Sequence, residues 1–181
     1  MTAQQLMQDS RLVRVRALQN EVARLKTELA QVRAQQESLR HHFAEALLAA
    51  RDAEELGPDG VLLIVDGWNA LLGSVRFPSR DALRQTVNTW LAAHPGNRAW
   101  IVFDGSEASG GREGRLRVSY TGGTGAHRAD RMVCDYLRMR CYAGAPGRVC
   151  VMTEDQDFRA EAERLGARTT GVKEWKDGAV P

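Results

Sequence analysis

The chain has 181 residues and a mass of 20.0 kDa, enough for one ordinary domain and a smaller appendage. Hydrophobic residues make up 43% and charged residues 27%, which supports a packed core and excludes wholesale disorder. The formal charge of +2 argues neither for nor against nucleic acid, and the longest apolar run, Val61 to Val65, is far short of the roughly 20 residues of a membrane span.

Residues 1–56 contain neither Gly nor Pro, and Gly57-Pro58-Asp59-Gly60 then breaks the chain. Val15, Leu18, Val22, Leu25, Leu29, Val32, Gln36, Leu39, Phe43 and Ala46 follow steps of three and four, which predicts a heptad seam. In a parallel dimer the seam is flanked by Glu21 facing Lys26 and Glu28 facing Arg33 across the two copies, all of opposite sign. Exposed pairs of this kind contribute only about 0.2–1 kcal/mol, so they select orientation more than they stabilise. The reading is a homodimeric coiled coil over residues 1–56. A helix folded back on the rest, an antiparallel pair and an arm for another protein are the alternatives.

Residues 57–60 then form a linker, and residues 61–181 alternate strand and helix. Strands are expected at 61–65, 99–103, 149–152 and 168–172, with a short one at 116–120; helices are expected at 79–93, 126–139 and 155–165. Repeated strand–helix–strand units predict an α/β three-layer sandwich with a parallel sheet. The stretch from Gly105 to Gly125, rich in Gly, Ser and Arg, reads as a loop overhanging one sheet edge. Cys134, Cys141 and Cys150 show no CxxC spacing and cannot all pair, and the first 19 residues lack an apolar signal core. A reducing, cytoplasmic setting is therefore expected.

In an open parallel sheet, ligands bind where the strands' carboxyl ends meet. Asp66, Asp104 and Glu154-Asp155 each follow a strand, and Asp130 sits early in the helix after the Gly-rich stretch. Gathered carboxylates repel one another, and a hard divalent cation, Mg²⁺ or Mn²⁺, relieves that repulsion. Such an ion can activate water for attack on a phosphodiester. Each aspartate also has a plainer use, since Asp-Gly is a turn dipeptide and Asp155 and Asp130 stand where helix starts favour acids.

Val61-Leu62-Leu63-Ile64-Val65-Asp66-Gly67-Trp68-Asn69 resembles the opening motif of NYN domains, the PIN-like nucleases, where a strand runs into Asp-Gly-Tyr-Asn. Ile101 to Gly105, Tyr120 to Asp130 and Met152 to Asp157 are similar to that family's later motifs, in an order closest to its YacP-like branch. The resemblance covers about residues 60–175. It implies a metal-dependent ribonuclease, with Asp66, Asp130 and Asp155 as metal ligands and Asn69 orienting Asp66 or touching the scissile phosphate. Asp104 and Asp157 are implied as supporting or additional ligands. The family pattern Glu-Thr-Ala-Asp reads His127-Arg128-Ala129-Asp130 here, and an acid usual four residues later is Cys134. That departure leaves room for a one-metal or weakened enzyme.

Seven arginines lie between Gly111 and Arg140. Arg112, Arg115, Arg117, Arg128 and Arg131, with His127 nearby, are expected to hold RNA phosphates, since the guanidinium fork matches phosphate oxygens. Trp68, beside the acidic edge, is the stacking candidate. The expected partner is RNA, with association with the ribosome as an option, and no membrane. The alternatives are a catalytically weak RNA- or ribosome-binding module and a PIN-like DNA nuclease.

Overall fold

The structure, a computed structural model, describes residues 3–73, 75–106, 108–123, 126–143 and 147–177, with side chains from residue 13 onward. The chain divides into two compact units, Met1–Glu37 and Ser38–Pro181.

The first unit is helical. It is the start of α1 (Ala3–Glu54), which no Gly or Pro interrupts. Val15, Leu18, Val22, Leu25, Leu29 and Val32 are each 50–62% exposed.

The second unit is α/β. After the last turns of α1 come β1 (Leu62–Asp66), α2 (Gly67–Leu72), α3 (Arg80–Ala93), β2 (Arg98–Phe103), β3 (Ala108–Glu113) and β4 (Leu116–Thr121). They are followed by α4 (Arg128–Tyr142), β5 (Val149–Met152), α5 (Gln156–Arg164), β6 (Arg168–Thr170) and α6 (Val172–Lys176). Six strands form one sheet in the order β3-β4-β2-β1-β5-β6, parallel except for β3 on β4. The three-layer arrangement expected from the alternating elements is present.

Alternation along each strand divides the core. Leu62, Ile64, Trp100, Val102, Val149 and Val151 pack under α4, α5 and the end of α1. Leu63, Val65, Ile101, Phe103, Cys150 and Met152 pack under α2, α3 and α6. All five residues of β1 are buried, as a central strand covered on both faces requires.

Two sequence expectations change. Residues 38–54 of α1, read as part of the coiled coil, belong to the second unit. Ala46, Ala49 and Ala53 recur at helical spacing and are small enough for close approach to the sheet. The acids of this segment are paired with arginines of the sheet. Asp52 meets buried Arg117 at 2.6 Å and Arg112 at 2.8 Å, and Glu55 meets Arg98 and Arg112. The Gly-rich stretch is not a simple overhanging loop, because 108–121 is a β-hairpin turning at Gly114, whose φ of 59° is left-handed.

Candidate metal centre

The central strand β1 is followed by helices on one face of the sheet, and its neighbour β5 by a helix on the other. Connections that diverge from adjacent strands leave a crevice at their carboxyl ends. Residue parity decides what points into it. Asp66, Asp104 and Thr153 continue the alternation of Ile64, Val102 and Val151, so all three are directed toward the α4/α5 side.

Asp66 caps α2 and is only 5% exposed. Its Oδ1 accepts from Asn69 N at 3.2 Å, and its Oδ2 accepts from Asn69 Nδ2 at 2.7 Å and Thr153 Oγ1 at 3.1 Å. Burial pushes the Asp66 carboxyl above its ordinary range, the Asn69 and Thr153 bonds oppose this, and the charge of Asp130 adds to it. Gly67 beside it is needed for space, because a Cβ there would sit 2.3 Å from the Phe103 ring.

Asp104 Oδ1 accepts from Ala129 N at 2.7 Å and from Thr121 Oγ1 at 3.3 Å. His127, at the cap position of α4, makes no side-chain cap bond, so Asp104 caps that helix from the neighbouring strand end. Asp155 caps α5, its Oδ1 accepting from Phe158 N at 3.0 Å. The plainer uses weighed for these aspartates are thus present, and they hold the carboxylates in place.

Asp130 lies in the first turn of α4, half-buried. Burial raises its carboxyl; His127 lowers it, and the charges of Asp155 and Asp104 raise it again. His127 is held at φ 59° and ψ 30°, a conformation few non-glycine residues adopt, and its Nδ1 stands 2.9 Å from Asp130 Oδ2. The Asp130 bond raises the His127 imidazole, as do the charges of Asp155 and Asp104. One ligand atom from each of His127, Asp130 and Asp155 lies within 4.8 Å of the other two. They line a cleft of about 350 Å³ together with Arg131, Asp157 and Glu161.

The structure therefore brings Asp66, Asn69, Asp104, Asp130 and Asp155 to one sheet edge. Asp157 is at the cleft, exposed and outside the three-ligand group. His127, expected at RNA, joins the carboxylates instead. Its signal was the place it takes in the motif, where the resembled family has Glu. Arg131 is exposed at the cleft. Arg128 turns to Ser38 and His42 on α1. Three further expectations are corrected. Arg112 and Arg117 are engaged by Asp52, Glu55 and Glu45, and Arg115 donates to the carbonyls of Leu91, His94 and Asn97. Their guanidinium groups hold α1 and the α3–β2 turn rather than a phosphate. Trp68 does lie at the edge, its indole N–H donating to Asp104 O at 2.7 Å.

No protein-family model matches the sequence, and no curated protein does. Among solved structures, the chain is similar to Rae1 (YacP) from Bacillus subtilis at 22% identity, covering 65% of this chain and 72% of that one with a TM-score of 0.46. A mutant form of the same protein is similar at 21% identity, covering 65% and 74%, with a TM-score of 0.49. Among the described residues no helix is long and apolar enough to cross a membrane.

Proposed function

We propose that the chain is a metal-dependent ribonuclease acting in a reducing, cytoplasmic compartment, with its reaction centre at the carboxyl edge of the sheet. The observation that carries this reading is the convergence of His127, Asp130 and Asp155 on one point, with Asp66 and Asp104 behind them. Carboxylates pushed upward by burial and by one another form a donor set short of positive charge, which is the condition a divalent cation relieves.

His127, Asp130 and Asp155 would hold Mn²⁺ or Mg²⁺, which when bound supplies Lewis acidity and a water of lowered pKa. The chain's own groups do the rest. Asn69 and Thr153 fix Asp66, and Asp104 fixes the start of α4. The N-termini of α4 and α5 both open on the cleft, and their positive dipole ends favour an incoming phosphate. Arg131 at the cleft wall adds a guanidinium suited to phosphate oxygens. A carboxylate of the set accepts the proton of the attacking water as the new P–O bond forms and the old one breaks.

The test is incubation with single-stranded RNA and DNA in Mn²⁺ or Mg²⁺. The wild-type chain should cleave RNA, Asp130→Asn and Asp155→Asn should not, and Thr153→Ala should lose about 10–100-fold through the misplaced Asp66. Cleavage unchanged in both aspartate variants would remove the assignment. DNA cut in preference to RNA would move it to the DNA nucleases. RNA binding with no cleavage in any divalent ion would support the weak-binder alternative, which His127 in place of Glu favours.

We also infer that the first unit pairs with a second copy in parallel. Its exposed stripe from Val15 to Val32 is supported by the opposite charges of Glu21 with Lys26 and Glu28 with Arg33.

A further inference from the structure

The face of the sheet away from the acidic cleft carries an aromatic cluster at the same carboxyl edge. Phe103 ends β2, and Tyr120 of β4 stacks on it with ring centroids 5.3 Å apart and planes 17° from parallel. Trp68, in the first turn of α2, meets Phe103 edge-on at 5.8 Å. Arg80, the first residue of α3, lies over all three, its guanidinium carbon 4.9 Å from the Trp68 ring, 5.2 Å from Phe103 and 5.4 Å from Tyr120. Phe103 is wholly buried, Trp68 and Tyr120 are partly exposed, and Arg80 is exposed. Among the described residues no carboxylate pairs with Arg80.

The cluster is tied to the acidic edge. Trp68 donates to the backbone oxygen of Asp104, whose side chain caps the helix carrying Asp130. The aromatic cluster and the acidic residues therefore share one sheet edge and are joined through Asp104.

We propose that Arg80, held against Trp68, Phe103 and Tyr120, is a stacking platform for an unpaired base of an RNA strand entering the cleft. The proposal rests on RNA being the substrate of the acidic site. A nucleobase presents a π face to a guanidinium plane, and among the described residues none takes a hydrogen bond from the Arg80 guanidinium, whose N–H groups can bond a neighbouring phosphate. Every base has such a face, so the platform discriminates by strandedness, not by sequence. A base within a duplex has both faces covered and cannot use it. Lysine carries the same charge but has no plane to stack.

The test is binding of a fluorescein-labelled decauridylate by anisotropy in EDTA, where cleavage does not intervene. Arg80→Ala and Arg80→Lys should each bind about tenfold more weakly than the wild-type chain. Both should bind a blunt duplex of RNA as the wild type does, and both should keep wild-type Mn²⁺ affinity by calorimetry. Equal decauridylate binding by the wild type and Arg80→Ala, or wild-type binding by Arg80→Lys, would overturn the platform and leave the metal-centre reading intact. No binding by the wild type would overturn the platform as well. Loss in both variants alongside a wild-type chain that fails to cleave would uphold the platform and remove the nuclease.

Discussion

His127 combines a left-handed backbone, an exposed ring and a nitrogen aimed at the Asp130 carboxylate. Imidazole is a borderline donor, and an ion with three carboxylate ligands differs in preference from one with a histidine among them. His127→Glu should therefore shift binding toward Mg²⁺ relative to Mn²⁺, read by calorimetry with each ion; an unchanged ratio would take His127 out of the ligand set. The raised carboxyls make a second prediction for the metal-free chain. Asp66 and Asp130 are raised by burial, so their ionisation costs folded-state stability as pH climbs above the ordinary carboxylate range of about 4. His127 is raised by Asp130, so its contribution is full below about 6.5 and is lost as pH climbs further. Both act in the same direction. In EDTA, Tm should rise as pH falls from 7.5 to 5.5, and Asp66→Asn should raise Tm at pH 7.5 while shrinking that rise. Asp66 and Asp104 were legible in the sequence because each directly follows a run of strand residues, and Asp155 because it comes three residues after another. The pairing of Arg117 was not, because its partner Asp52 is 65 residues away and no local pattern joins the two.

At the scale of elements, α1 serves both units. From Val13 to Glu37 its apolar residues are exposed, while from Ser38 onward Ala46, Ala49, Ala53 and its acids complete the globular core. Deleting residues 1–37 should leave a folded domain with a cooperative thermal transition, its far-UV helix signal smaller by the helix removed. Deleting residues 1–56 should not, because the apolar sheet face that Ala46, Ala49 and Ala53 cover would be exposed to water. A folded 57–181 fragment would contradict this. The full chain should run at twice its 20.0 kDa mass by light scattering, and Leu25→Glu at the single mass. The heptad was legible because seven-residue spacing is local. The β3 strand was not, because Ala108-Ser109-Gly110-Gly111-Arg112-Glu113 has little strand propensity and is extended through pairing with β4 at the sheet edge.

For the molecule as a whole, topology matters more than any single side chain. The order β3-β4-β2-β1-β5-β6 places β1 and β5 side by side with their helices on opposite faces, and strand parity sends Asp66 and Asp104 to the α4/α5 side. The parallel sheet and its acidic edge followed from alternating strand and helix signals. Which face the acids share depends on register, which no local pattern carries. The most direct test is anomalous diffraction from a crystal soaked in Mn²⁺. One peak should lie among His127, Asp130 and Asp155. No peak there, or a peak bound elsewhere and touching none of the three, would contradict the metal centre.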